Sequence, residues 1–304
     1  MSLEYPTIVG SLVAGTVEAL GSGVTNIGLG QRIVRETQIF VLKQARYGDL
    51  QRFAIVSASQ IVEAVTLGSY TPPGTLFGKR FLNLHWPAVP ASPLPSSEQE
   101  KKILIWGGSS AMGSLAISYA KQAEYIVIST SSKHNFDLLR SLGADHIFDH
   151  SDPATVDAIR NLFPIDYWLD TISLKPTLST ILNILAPEGQ PATKANILLL
   201  LPPAWLGIDS FPEGVTTQFY QVSTDAPENA EWREHFLGRD GFMEQGIKSS
   251  VIKGVPPRVL GGLDKVEAGL DAVHNGVSGK KIVIKPWYQN TMIIGTNYQT
   301  GLRI

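Results

Sequence analysis

The residues best placed to do chemistry are Ile105-Trp106-Gly107-Gly108-Ser109-Ser110-Ala111-Met112-Gly113. A dinucleotide fingerprint needs a tight turn, a small residue where backbone meets pyrophosphate, and a glycine where helix packs on strand. Gly108, Ser110 and Gly113 keep the G-x-G-x-x-G spacing, with serine in the middle place. Serine is small enough, and its hydroxyl can donate to phosphate. The amides opening the next helix would hold the anion. The same residues can also be read as a glycine-rich turn in an inert α/β sheet.

The end of the following strand chooses between cofactors. An NAD site places Asp or Glu there to bind the ribose hydroxyls. Here the stretch is Ser129-Thr130-Ser131-Ser132-Lys133-His134-Asn135, and the next acid in sequence is Asp137. Hydroxyls and an ammonium suit a 2′-phosphate, which is a dianion wanting donors and positive charge. NADP(H) is therefore expected over NAD, against the plainer reading of a polar loop with a solvated lysine. His146 and His150, interleaved with Asp145 and Asp149, have a metal-like spacing. They read more simply as the polar rim of a strand, so no metal is expected. No Gly-x-Ser-x-Gly elbow follows a strand, which leaves hydrolase chemistry without an anchor.

These residues must be positioned by the elements around them. Ile103 to Trp106 is a short apolar run, as expected of a buried parallel strand. Met112, Leu115, Ala116, Tyr119, Ala120 and Ala123 then mark one helix face. Tyr125 to Ile128, Ile147-Phe148, Tyr167 to Leu169 and Ile197 to Leu200 predict further strands. Helices are expected on Phe136 to Leu142 with Gly143 as terminator, on Val156, Ile159 and Leu162, and on Leu178, Ile181, Leu182 and Leu185. This alternation predicts an α/β fold with a doubly wound parallel Rossmann sheet. Before it lies a β-rich, glycine-punctuated third, with Phe53 to Val56 as one strand candidate. Ala88 to Glu100, rich in proline, reads as a surface linker and domain boundary. After about Phe242 come an expected strand at Val251-Ile252, a Pro-Pro turn, a helix on Leu263, Val266, Leu270 and Val273, and a strand over Ile282 to Ile284.

The chain's 304 residues hold 25 Lys and Arg, 27 Asp and Glu, and no cysteine, for a formal net charge of −2 and a pI near 6.3. Near-neutrality argues against nucleic-acid binding. The lack of cysteine excludes disulfides, thiol nucleophiles and thiolate zinc sites. The apolar run Ile197 to Leu201 ends at Pro202-Pro203, too short to span a membrane. A cytoplasmic protein is the expectation.

Taken together, these residues resemble the medium-chain dehydrogenase/reductase family, in its zinc-free branch of quinone reductases and fungal trans-enoyl reductases. Trp106 to Gly113 and Asn135 to Asp145 carry the most specific likeness. Pro6 to Gly10, Ala14 to Val17, Gly21 to Thr25, Gly30 to Val34, Tyr47 to Gln51 and Thr71 to Leu84 are similar to the family's GroES-like lobe and its exit. Leu169 to Ile172, Gly261 to Leu263 and Ser278 to Lys281 match later signposts. The resemblance implies a dinucleotide domain over 89–245 and a partial, N-terminally shortened GroES-like catalytic lobe over 1–88 and 246–304. It implies hydride transfer to an alkene conjugated to a carbonyl, in fungal polyketide-type secondary metabolism. Gly108, Ser109, Ser110, Ala111, Met112 and Gly113 would then serve the pyrophosphate, and Ser131, Ser132 and Lys133 the 2′-phosphate. Thr71, Asp170, Thr171 and Ile172 would approach the nicotinamide end, with Leu201 and Pro202 lining its pocket. No proton donor is named by the resemblance, and solvent can serve. Expected partners are a small-molecule or carrier-bound enoyl substrate and a polyketide synthase. The shortened lobe and Gln31, where the family usually has Asp, leave open a non-catalytic member that binds a pathway intermediate or a partner synthase.

Overall fold

The computed structural model describes residues 6–8, 12–25, 27–36, 42–48, 50–56, 62–63, 78, 81–208, 210–219, 227, 230–238 and 240–286. The N-terminal part contains a three-stranded antiparallel sheet of β1 (Leu12–Thr16), β2 (Arg32–Glu36) and β3 (Val62–Glu63), in that order. β1 and β2 pair in register from Leu12 opposite Glu36 to Thr16 opposite Arg32.

From Lys102 onward, short apolar runs become the inner strands of a second sheet because both of their faces find a cover, and less buried segments form its edges. They are β4 (Lys102–Trp106), β5 (Ile126–Ser131), β6 (His146–Asp149), β7 (Tyr167–Asp170), β8 (Ala195–Leu199) and β9 (Val215–Phe219). All pair in parallel, in the order β6-β5-β4-β7-β8-β9. The order therefore reverses between β4 and β7, opening a crevice at the carboxyl ends of these two strands. α1 (Ala111–Gln122) and α2 (Phe136–Leu142) cover one face, and α3 (Thr155–Arg160) and α4 (Lys175–Leu185) the other. Strand alternation divides the core accordingly. Ile103, Ile105, Val127 and Leu169 join the α1 layer, while Leu104, Trp106, Ile128 and Trp168 join the α4 layer. Gly143 ends α2 in the left-handed region, with φ 103°, as the sequence predicts.

α5 (Ala230–Leu237) and α6 (Phe242–Lys248) add Trp232, Phe236, Phe242 and Met243 to the α1 layer. The ring of Phe242 meets Tyr119 edge-on at 5.4 Å. A small parallel pair, β10 (Pro257–Gly261) and β11 (Lys281–Ile284), is joined through α7 (Val266–His274), which follows a 3-10 turn at Leu263–Lys265. No helix among the described residues is long and apolar enough to cross a membrane.

Four sequence expectations differ from what is observed. Phe53 to Val56 forms no strand; its backbone bends at Phe53 and runs irregularly after it, and the Phe53 side chain is exposed. Val251-Ile252 forms no strand either, because its backbone is clipped to a helix. Ser118 Oγ donates to the Val251 carbonyl at 3.1 Å and accepts the Lys253 amide at 3.1 Å, and Ser114 Oγ accepts the Val255 amide at 3.2 Å. β9, β10, α5 and α6 were not anticipated. β10 starts at Pro257, in what reads as a turn, and proline is tolerated at a strand's first residue. Finally, the proline-rich linker is not wholly superficial. Leu94 is buried in the α1 layer. Glu98 accepts Lys101 Nζ at 2.6 Å, Tyr167 Oη at 2.7 Å and Tyr125 Oη at 3.1 Å. Burial pushes the Glu98 carboxyl up, but the donors from Lys101, Tyr167 and Tyr125 outweigh it and leave its pKa lowered.

Candidate nucleotide-binding site

The turn between β4 and α1 is built on three glycines. Gly107 has φ +80°, a conformation that an L side chain rarely adopts. A Cβ on Gly108 would lie 2.2 Å from Ser129 Oγ, and one on Gly113 would lie 2.4 Å from the Gly107 carbonyl oxygen. Thr130 fixes the turn, its Oγ1 accepting the Gly107 amide at 3.0 Å and its carbonyl the Gly108 amide at 2.9 Å. Gly113 thus brings α1 against the turn backbone at Gly107 and Gly108, just beyond the end of β4. The left-handed position falls one residue earlier than the G-x-G-x-x-G spacing marks.

Ser110 caps α1. Its Oγ accepts the Gly113 amide at 2.9 Å, and its carbonyl accepts the Ser114 amide at 3.0 Å. The same Oγ lies 3.0 Å from Thr171 Oγ1, which donates to the Trp106 carbonyl at 2.6 Å. The Ser110 hydroxyl is therefore engaged within the protein, tying the turn to the loop after β7 across the strand-order reversal. The amides of Ser109, Ala111 and Met112 meet no acceptor among the described residues. These three N–H groups open α1, where a helix has no intrahelical acceptors for them.

Asp170, at the end of β7, is fully buried. One carboxylate oxygen accepts the amides of Ile172 and Ser173, both at 2.9 Å, and the other accepts Thr177 Oγ1 at 2.7 Å. Ser173 Oγ in turn donates to the Asp170 carbonyl at 2.8 Å and accepts the Leu200 amide at 2.7 Å. Burial raises the Asp170 pKa against the pull of these donors. The carboxylate braces the loop that carries Thr171 and Ile172, and both of its oxygens are engaged within the protein. Leu201 packs on the α4 layer, and Pro202 precedes a 3-10 turn at Pro203–Trp205 whose Trp205 is 72% exposed. Thr71 lies outside the described residues.

Ser131 ends β5, and Ser132 and Lys133 lead into a 3-10 turn, but the three differ in access. Ser131 is buried, and its Oγ donates to the Ser132 carbonyl at 3.1 Å. Ser132 Oγ lies 3.1 Å from His150 Nε2. The Lys133 side chain is 72% exposed, with Nζ 3.9 Å from Asp149 Oδ2. Asp149 and His150 escaped the sequence reading at this point. The available signal was parallel register, which sets Ser131 beside Asp149. His134 Nε2 and Asn135 Nδ2 both reach Ser278 Oγ, at 3.0 Å and 2.7 Å, linking this loop to the C-terminal segment. Among the described residues no group of three or more His, Cys, Asp or Glu could hold a metal ion.

Known proteins share this architecture. The family profile described as Zinc-binding dehydrogenase matches residues 111–196. The trans-enoyl reductase himH of Aspergillus japonicus is 31% identical over 299 residues, covering 93% of this chain and 82% of that protein. The enoyl reductase component of the lovastatin nonaketide synthase of Aspergillus terreus is 26% identical over 299 residues, covering 91% of this chain and 81% of that protein. Among solved structures, a quinone oxidoreductase of Pseudomonas syringae has a TM-score of 0.60 at 17% identity, over 92% of this chain and 82% of that one. The CurK enoyl reductase has a TM-score of 0.58 at 15% identity, over 91% and 78%. At these identities the solved structures bear on the fold alone.

Proposed function

The chain belongs to the medium-chain dehydrogenase/reductase family, in its fungal trans-enoyl reductase branch, and from that premise we propose an NADPH-dependent enoyl reductase. Its substrate is an α,β-unsaturated carbonyl compound, free or carried as a thioester by a polyketide synthase, in the cytoplasm. One observation carries the cofactor reading: the cradle at the crevice, with three unclaimed amides and glycines at 107, 108 and 113 where a Cβ would collide. A pyrophosphate suits such a turn, since the glycines let the chain fold tightly enough to gather these backbone donors at one helix opening.

Gly108, Ser109, Ser110, Ala111, Met112 and Gly113 are the proposed pyrophosphate residues. The amides of Ser109, Ala111 and Met112 donate, and Ser110 holds the helix opening in place. Ser132 and Lys133 face the 2′-phosphate, while the buried Ser131 sets the Ser132 carbonyl. Thr171, Ile172, Leu201 and Pro202 border the nicotinamide end, with Asp170 as their brace and Thr71 as the proposed contribution from the other side. The division into a dinucleotide domain over 89–245 and a GroES-like lobe over 1–88 and 246–304 is part of the same proposal. When bound, NADPH supplies a hydride. The chain's own task is to position the alkene, exclude competing water and present donors to the developing enolate oxygen. The proton that completes the reduction comes from solvent.

The test is NADPH consumption by the purified chain with a panel of enoyl thioesters and quinones. Turnover of an enoyl thioester is the expected result. NADPH binding without turnover of any of these acceptors would overturn the enzyme reading in favour of a repurposed binding protein.

A further inference from the structure

The carboxyl ends of β5 and β6 bring together charges that are distant in sequence. Lys133, the cation proposed for the 2′-phosphate, has Asp149 Oδ2 3.9 Å from its Nζ. That carboxylate is held in place. Its Oδ1 accepts the Ser151 amide at 3.0 Å and Ser151 Oγ at 2.7 Å, and the Asp149 carbonyl accepts Thr155 Oγ1 at 2.5 Å. The Asp149 side chain is only 11% exposed, against 72% for Lys133. The lysine stem is largely in solvent, whereas the aspartate is tied through one oxygen to Ser151. The Ser151 amide and hydroxyl, with smaller pulls from Lys133 and His150, lower the Asp149 pKa, so the group is charged at neutral pH.

Two opposed effects follow when a dianion arrives. Asp149 could orient Lys133 toward it, or repel it. A loose ion pair on a mostly exposed lysine organises little. Repulsion acts on two negative charges at once, from a carboxylate tied to Ser151. Repulsion therefore wins. Resting on the NADP(H) reading, we infer that Asp149 is a specificity-determining residue of the 2′-subsite. Its fixed carboxylate opposes a 2′-phosphate beside Lys133 and narrows the preference for the phosphorylated dinucleotide. Asp149→Asn is the informative change, because Asn keeps the Oδ1 acceptor that Ser151 uses and removes only the charge.

The experiment is calorimetric titration of the full chain, of Asp149→Asn and of Lys133→Ala with four ligands: NADPH, NADH, adenosine 2′,5′-bisphosphate and AMP. Asp149→Asn is expected to tighten both 2′-phosphorylated ligands about 3- to 10-fold and to leave NADH and AMP within about twofold. The gain should shrink as salt is raised, because the charges involved are partly exposed. Unchanged or weaker NADPH binding by Asp149→Asn, with Lys133→Ala still weakening NADPH, overturns the inference and leaves the NADP(H) reading standing. Equal affinity of the parent for both members of each ligand pair, with Lys133→Ala silent, defeats the NADP(H) reading and this inference with it.

Discussion

Replacing Gly113 tests the phosphate turn most directly. A Cβ there would sit 2.4 Å from the Gly107 carbonyl oxygen, 2.8 Å from Gly108 Cα and 3.0 Å from the Gly107 carbonyl carbon. All three are backbone atoms, so no flexible side chain can yield. Restoring an ordinary carbon–oxygen separation of about 3.4 Å needs roughly 1 Å of displacement between α1 and the turn. In an open helix, Gly→Ala would stabilise by about 1 kcal/mol. Overpacking of this kind costs about 1–3 kcal/mol. With backbone on every side the upper part of that range applies, giving Gly113→Ala a net loss of about 1–2 kcal/mol and a Tm drop of about 2–4 °C. Gly113→Val adds two methyl groups and no helix-propensity gain, so it should lose more. The same displacement moves the amides of Ala111 and Met112 off their aim. Losing one charge-assisted hydrogen bond would weaken NADPH about 10- to 100-fold. Ser110→Gly is the control: it removes the cap but leaves the turn its room, and a glycine cap costs only a few tenths of a kcal/mol. The assays are thermal melts of the unliganded proteins and fluorescence titration with NADPH. A Gly113→Ala protein that melts no lower than the parent and binds NADPH within about twofold refutes the argument, and with it the assignment of this turn to pyrophosphate.

Other expectations can be checked with the same measurements. Lys133→Ala should weaken NADPH about 10-fold and leave NADH nearly unchanged; equal losses for both would reject its 2′-phosphate role. Asp170→Ala strands two buried amides and a hydroxyl and should destabilise by about 3 kcal/mol. Asp170→Asn keeps one acceptor oxygen and should lose under about 1 kcal/mol by denaturant melt, so similar losses for the two would refute the brace. Because the Glu98 pKa is lowered in the fold, its contribution is present above the unfolded value near 4.3 and is lost as pH falls through the folded one. Glu98→Gln should therefore be less stable than the parent at neutral pH, with the gap closing below about pH 4; a gap that persists undiminished at pH 3 would refute the linkage.

The strand–turn–helix unit was legible because its signals are local. An apolar run needs two covered faces, and a glycine at 113 answers to a contact only six positions back. Gly143 was legible for the same reason. Other features rest on contacts that no local pattern announces. Phe53 to Val56 has the residues of a strand, yet a strand exists only where a partner accepts it. Val251 instead gives its carbonyl to Ser118 of α1, while Val251 and Ile252 both donate their amides to the Gly246 carbonyl. Asp149 and His150 reached the Ser132–Lys133 corner through the register of adjacent strands. Asp137, the acid closest in sequence, pairs instead with Arg140 within α2. The family resemblance implies that Asp170 approaches a ligand, whereas its carboxylate is taken up by the Ile172 and Ser173 amides of the adjoining loop and by Thr177 Oγ1 of α4.

The serine clips of α1 also set an order of assembly. Ser118 reaches Val251 over a sequence separation of 133, and Ser114 reaches Val255 over 141. Contacts that close such large loops form late, after the local helix that offers them already exists. The segment carrying β10, α7 and β11 therefore takes its serine clips from an α1 that is already formed, besides its Ser278 contacts to His134 and Asn135. Until then two buried serine hydroxyls on that helix wait without their final acceptor and donors. A growing chain would thus complete the β4–α1 turn first and gain the serine clips of its helix last, when residues 251–255 arrive.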